Sequence, residues 1–242
     1  MIETFIALLL GHVLGDFVVQ TRAMVENKAR ARMFLLHGVM VLIMTMAATG
    51  QIARWELLAL AAAHMAIDAV KTYLAPQNIA AFLADQGAHL ITLIAAAALV
   101  PDLWATGLWA TLPALPDTLI ALMALLTGAI IATRAGGFAV GLLMAPMAAQ
   151  IDANGLPSGG KLIGLLERGL IYVMILAGQP AGIGFLIAAK SVLRFEATSD
   201  EKKAEYVIIG TLASFGWAMI TAYATLWALA ALRPLAIWPS LS

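Results

Sequence analysis

The sequence predicts an all-α fold, a polytopic transmembrane helical bundle, and three observations lead there. Of its 242 residues, 62% are hydrophobic and only 12% charged, against about 25% charged in an ordinary soluble domain. Mean hydropathy is +0.93, more apolar surface than a soluble globule of this size can bury. The apolar residues fall in continuous Ala- and Leu-rich runs, whereas outer-membrane strands alternate in segments of about 10 residues. A net charge of zero leaves no basic field for nucleic acid, so none is expected as a partner. The absence of cysteine excludes disulfides, thiolate metal sites and cysteine nucleophiles.

A bilayer core needs about 20 apolar residues as helix. Candidate spans are 2–20, 33–50, 54–74, 79–100, 117–133, 137–151, 162–178, 180–194 and 205–232. The first carries Glu3 and no basic stretch, so it does not read as a cleaved signal peptide. Loop 21–32, with Arg22, Lys28, Arg30 and Arg32, is expected on the cytoplasmic side, which puts the N-terminus outside. Loop 101–116 has no Lys or Arg and suits the outer side, with Trp104 and Trp109 at an interfacial belt. Lys202 and Lys203, flanked by Lys190 and Arg194, make 195–204 cytoplasmic as well. Nine full crossings would put that last loop outside. The segment 137–151, short and interrupted by Gly141 and Pro146, is therefore expected to be re-entrant or interfacial, leaving about eight spanning helices. The chain divides into a four-helix membrane domain, 1–100, and a second helical region, 117–242, serving as lid or support.

The ionisable residues inside these spans are not scattered. The four histidines of the chain, His12, His37, His64 and His89, fall one in each of the first four spans. Three have an aspartate four positions away: His12/Asp16, His64/Asp68 and Asp85/His89. An i,i+4 pair lies on one helix face, where it offers an imidazole nitrogen and a carboxylate oxygen to one metal, or lets the carboxylate orient the imidazole. His precedes Asp on spans one and three, and Asp precedes His on span four, which runs the other way. All three pairs therefore point alike in space. At about 1.5 Å per residue, the aspartates and His37 lie roughly 6–9 Å inside the cytoplasmic helix ends. The set His12, Asp16, His37, His64, Asp68, Asp85 and His89 is the candidate metal site, and without cysteine it suits zinc, manganese, iron or nickel.

Polar neighbours extend the slab: Gln20 and Lys71 continue the faces of Asp16 and Asp68, and Gln86 adjoins Asp85. Interhelical hydrogen bonding or a proton relay would also place His and Asp inside a bundle. In the second half, Gly155 to Lys161 spells G-x-x-x-x-G-K. Leu162 replaces the Ser/Thr of a phosphate-binding loop and no βα unit surrounds it, so it reads as a hinge. Glu167 and Arg168 sit within a span, and Lys190 and Arg194 form an i,i+4 basic pair. Glu167 is expected to pair with Lys190 or Arg194, and these four residues serve substrate binding or structure.

The string Gly11-His12-Val13-Leu14-Gly15-Asp16-Phe17 ending in Gln20, then His37, His64-x-x-x-Asp68-x-x-Lys71 and Phe82-x-x-Asp85-Gln86-x-x-His89, resembles domain-of-unknown-function family 3307, bacterial multi-pass membrane proteins. The resemblance covers the first 100 or so residues. Later strings around Gly160–Arg168, Ala189–Phe195 and Glu205–Thr211 resemble the longer members. It implies a bacterial inner-membrane location and no defined activity. The His/Asp pattern is more distantly similar to membrane-bound metal-dependent hydrolases. Two functions follow. One is a metal-dependent hydrolase of a lipid or other amphipathic substrate, with the metal activating water, Asp16 or Asp85 as general base, and Lys71 or Arg194 holding an anionic group. The alternative is a divalent-metal or proton transporter, or a structural membrane subunit.

Overall fold

The computed structural model describes residues 1–113, 116–150, 159–195 and 201–232, with the side chains of 192–195 left aside. Among the described residues every regular element is helical. The described residues form two compact units, one of those within Met1–Ile130 together with those from Trp227 to Leu232, the other of those within Ile131–Leu226.

In the first unit, α1 (Ile2–Leu14) is the central helix, followed by a π-helical turn, Gly15–Val19. It packs against α3 (Ala31–Thr49), α5 (Ile79–Leu99) and α6 (Pro116–Ile130), while α4 (Trp55–Tyr73) lies between α3 and α5. The short α2 (Arg22–Glu26) starts at Thr21, whose hydroxyl accepts from Met24 N at 3.3 Å. Asn78 caps α5 by accepting from Ala81 N at 2.8 Å; both are the side-chain oxygens that satisfy orphan N–H groups at helix starts. Close approach of α1 to α3 rests on glycine. A Cβ on Gly11 would lie 2.6 Å from Thr45 Cα, and one on Gly15 would lie 2.7 Å from Val41 Cγ2. Such small-residue contacts let membrane helices approach backbone to backbone.

At the opposite end from the α2–α3 loop, residues 101–113 fold over the helix ends. Thr4 Oγ1 donates to Pro101 O at 2.8 Å, Gln51 Nε2 to Leu103 O at 2.7 Å, and Trp109 Nε1 to Ala47 O at 2.7 Å. Trp104 does not stand in a lipid-facing belt. It is 5% exposed and packs with Ile6, Leu10, Ala48 and Ile120, because Thr4 Oγ1 also takes the Trp104 N–H at 3.2 Å and draws the loop inward.

Five helical runs are long and apolar enough to cross a bilayer: Ile2–Val19, Ala31–Thr49, Ile79–Leu99, Pro116–Ala148 and Glu201–Ala231. Helix α4 carries Glu56, Asp68 and Lys71, and α8 (Gly159–Leu176) carries Lys161, Glu167 and Arg168, which keeps both off that count. Helix α9 (Ala181–Phe195) is short, at 15 residues. The span windows of α3 and α5 are only 22% and 17% buried, against 56% for α1. Leu35, Val39 and Ile43 on α3, and Ile91 and Ile94 on α5, face outward, as lipid contact requires.

One expectation is corrected. Residues 137–148 do not form a helix separate from the preceding span. Helix α6, a π-turn at Ile131–Ala135 and α7 (Gly136–Ala148) form one continuous run of 33 residues. The glycines at 136, 137 and 141 stay helical, and Pro146 lies in the last turn, so only the end of the helix loses a hydrogen bond to it. Ile151 lies outside the described residues.

The second unit holds that π-turn with α7, α8, α9 and most of α10 (Glu201–Ala231). A π-turn leaves carbonyls without their usual helical partners. Here Trp217 Nε1 donates to Ile131 O at 2.9 Å, and Arg168 donates to Thr133 O through Nε at 3.2 Å and Nη2 at 2.9 Å.

Candidate metal centre

Four helices of the first unit deliver the seven predicted ligands to one place. Helix α1 and its π-turn supply His12 and Asp16, α3 supplies His37, α4 supplies His64 and Asp68, and α5 supplies Asp85 and His89. All four imidazoles are buried, and the three carboxylates have side chains 2–9% exposed. The π-turn begins at Gly15, so Asp16 leaves the regular spiral immediately after α1.

Asp16 and Asp68 bridge the histidines. Asp16 Oδ1 lies 3.4 Å from both His37 Nε2 and His64 Nε2. Asp68 Oδ2 lies 2.9 Å from His37 Nε2 and 3.4 Å from His64 Nε2. The Nε2 atoms of His37 and His64 are 3.2 Å apart. Asp85 Oδ1 is 3.6 Å from His89 Nε2, and the rings of His64 and His89 stack with centroids 4.2 Å apart. The α3–α4 contact holds this spacing: a Cβ on Gly38, next to His37, would meet Met65 Sδ, next to His64, at 2.5 Å.

Three groups have ligand atoms within 4.8 Å of one another: His12, His64 and His89; Asp16, His37 and His64; and Asp68, Asp85 and His89. The donor set is imidazole and carboxylate, as expected for zinc, manganese or iron. Several of these atoms are buried without a hydrogen bond of ordinary geometry, namely His12 Nδ1, Asp16 Oδ1, His37 Nδ1, Asp68 Oδ2, Asp85 Oδ1 and His89 Nε2. Buried polar groups are seldom left so, and lone pairs gathered with few well-aligned donors would suit a cation.

Charge points the same way. Three carboxylates are matched by two ammonium groups, Lys28 Nζ at 2.8 Å from Asp68 Oδ2 and Lys71 Nζ at 3.6 Å from Asp85 Oδ2. With neutral imidazoles the cluster keeps one negative charge. An uncompensated charge is costly away from water, so a further cation or proton belongs there.

The aspartates face the α2–α3 loop. Lys28 comes from that loop, and Tyr73 Oη ties it to α4 by donating to Ala29 O at 3.2 Å. Behind the histidines, away from the loop, a cavity of about 10 Å³ is lined by His12, His64 and His89 with Val41, Thr45 and Thr92 among others; that is room for one water. Among the other predicted residues, Lys71 and Gln86 join the site, Gln86 Nε2 donating to Asp85 Oδ2 at 3.2 Å. Gln20 Nε2 is buried without a partner. Glu167, Arg168 and Lys190 have their partners in the second unit. Lys190 Nζ donates to Glu167 Oε2 at 2.8 Å, and Arg168 Nη1 donates to Ser214 Oγ at 3.1 Å. The side chain of Arg194 lies outside the described residues.

Sequence reasoning missed Lys28 as a site residue, counting it only as a topology-setting charge. The signal was its loop's place at the aspartate end. No curated protein and no solved structure matches the chain, so the likeness to metal-dependent hydrolases gains no support from that quarter. Residues 4–111, which contain all seven candidate ligands together with Lys28 and Lys71, match the family model described as protein of unknown function (DUF3307).

Proposed function

We propose that this chain is an integral membrane protein holding one or two divalent metal ions among its His and Asp side chains, and that the centre hydrolyses an amphipathic substrate. The observation that carries the reading is the convergence of four imidazoles and three carboxylates from four helices into ligand groups within 4.8 Å. A bound zinc, manganese or iron would supply a water activated near neutral pH. Asp16 or Asp85 would take the proton, and Lys71 would hold an anionic part of the substrate. The basic loop 21–32 argues for the cytoplasmic side of a bacterial inner membrane, with the N-terminus outside. The aspartate layer then lies near headgroups and cytosolic water.

A second reading, ion or proton transport, is favoured by the enclosure of the His12–His64–His89 group around so small a cavity. Elemental analysis of the detergent-purified protein beside His64→Ala/Asp68→Ala is the test. One or two metal ions per chain, lost in the variant, are expected. No metal in the wild type, even after reconstitution, would overturn the metal centre. Tight retention through dialysis separates an enzyme from a transporter, which must release its ion.

A further inference from the structure

The site's two lysines occupy a position that neither a metal ligand nor a loop charge explains. Lys28 and Lys71 have side chains 20% and 22% exposed, while the Asp68 and Asp85 side chains they meet are 2% and 9% exposed. The ammonium groups therefore stand between the outside and the Asp68–Asp85–His89 ligand group. They meet the very carboxylates that a divalent ion would need. Asp85 Oδ1 and His89 Nε2, in the same group, are buried without hydrogen-bond partners.

Counting charge decides what can enter. Within the group next to the lysines, the carboxylates of Asp68 and Asp85 and the two ammonium groups sum to zero; the cluster's remaining negative charge is that of Asp16, set among His12, His37 and His64. A divalent ion added alone would leave that group at +2, and the cluster as a whole at +1, in a poorly solvated place, which is disfavoured. A divalent ion added with a dianion restores neutrality: the metal takes the carboxylates and the freed ammonium groups take the anion. A phosphate-type oxyanion matches that charge, and its oxygens suit two ammonium donors.

We propose that Lys28 and Lys71 are the recognition pair for a phosphate monoester or phosphatidic-acid-type headgroup, and that this oxyanion and the ion at Asp68–Asp85–His89 bind with mutual positive dependence. This rests on the metal reading above and names the substrate class for that site. Thermodynamic linkage makes the dependence reciprocal: the anion tightens the metal by the same factor as the metal tightens the anion.

The test uses the full chain and manganese, with free manganese read by its aqueous electron paramagnetic resonance signal. Manganese affinity is measured in detergent with and without inorganic phosphate. It is measured again in phosphatidylcholine vesicles with and without phosphatidic acid, so that the two arms separate a free phosphate from a lipid headgroup. Tightening of about tenfold in either arm is expected. In Lys28→Gln/Lys71→Gln the ion alone restores neutrality, so manganese binds without the anion and the dependence disappears. That loss also excludes mere attraction of manganese to an acidic vesicle. Lys28→Arg/Lys71→Arg, which keeps both charges, retains the dependence and guards against misfolding of the Gln variant. Manganese binding with equal affinity in all arms overturns the lysine proposal and leaves the metal centre standing. Absence of manganese binding in every protein overturns both.

Discussion

Gly11→Ala tests whether the centre depends on the contact between α1 and α3. The added Cβ would lie 2.6 Å from Thr45 Cα and 2.9 Å from Thr45 N. These are backbone atoms and cannot rotate away, so the helices must part by about 1 Å to reach ordinary contact. Overpacking of this kind costs about 1–3 kcal/mol, against a helix-propensity gain of up to about 1 kcal/mol for Gly→Ala. Because the contact is with backbone, the upper part of that range, about 2–3 kcal/mol, applies, and the net is a loss of about 1–2 kcal/mol, or roughly 2–8 °C in Tm for a chain of this length. Gly87→Ala is the matched control. Gly87 lies on α5 between Asp85 and His89, yet a Cβ there meets nothing within 4 Å, so Tm should hold or rise by about 2–4 °C. Tryptophan fluorescence melts in detergent read both variants. His12 adjoins Gly11, so metal retention should fall in Gly11→Ala and persist in Gly87→Ala. A Gly11→Ala protein as stable as wild type would refute the close α1–α3 approach, and with it the spacing of the ligand set.

Three further outcomes are expected. Arg168→Lys should destabilise by about 2–3 kcal/mol, because one ammonium cannot reproduce the fork that spans Thr133 O and Ser214 Oγ; thermal melts check it, and an unchanged Tm would remove that role. Glu167→Gln and Lys190→Met should each destabilise, and the double variant less than their sum, since their 2.8 Å pair is part-buried; a double-mutant cycle with zero coupling would count against it. The chain has no cysteine, so single cysteines at Arg30 and Asp102 can be labelled without background in intact cells and in inverted vesicles. Asp102→Cys should react from outside and Arg30→Cys only from the cytoplasmic side; the reverse pattern would invert the topology.

The clustering of these side chains was legible in the sequence because helical periodicity fixes a face. Once His12/Asp16, His64/Asp68 and Asp85/His89 share faces and a common direction, antiparallel helices bring them to one level, and the structure joins all seven groups. Lys28 was not legible, since it belongs to a loop, where no period says how far a side chain reaches. Trp104 was misplaced for a related reason: its burial is decided by Thr4, 100 residues away. The separate segment expected at 137–151 came from its short length and from Gly141 and Pro146, residues that the helix accommodates. Local composition cannot tell a loop from a helix whose defects are satisfied by distant partners.

The two π-turns make that point physically. Each inserts polar chemistry into an apolar helix, and each is answered differently. In the first, Gly15–Val19, the irregularity aims a carboxylate, Asp16, at His37 and His64. In the second, Ile131–Ala135, it releases carbonyls that Trp217 and Arg168 take up. A bilayer interior supplies no water to satisfy a freed backbone group, so such a turn persists only where a partner is provided. For the second turn the partners are the indole and guanidinium groups of α10 and α8, which fasten the defect. For the first, the carboxylate it presents still lacks a full set of donors at Oδ1. That contrast separates a structural irregularity from a candidate site: the second turn is closed by the protein itself, whereas the first presents a carboxylate oxygen that the cation of the proposed centre would close.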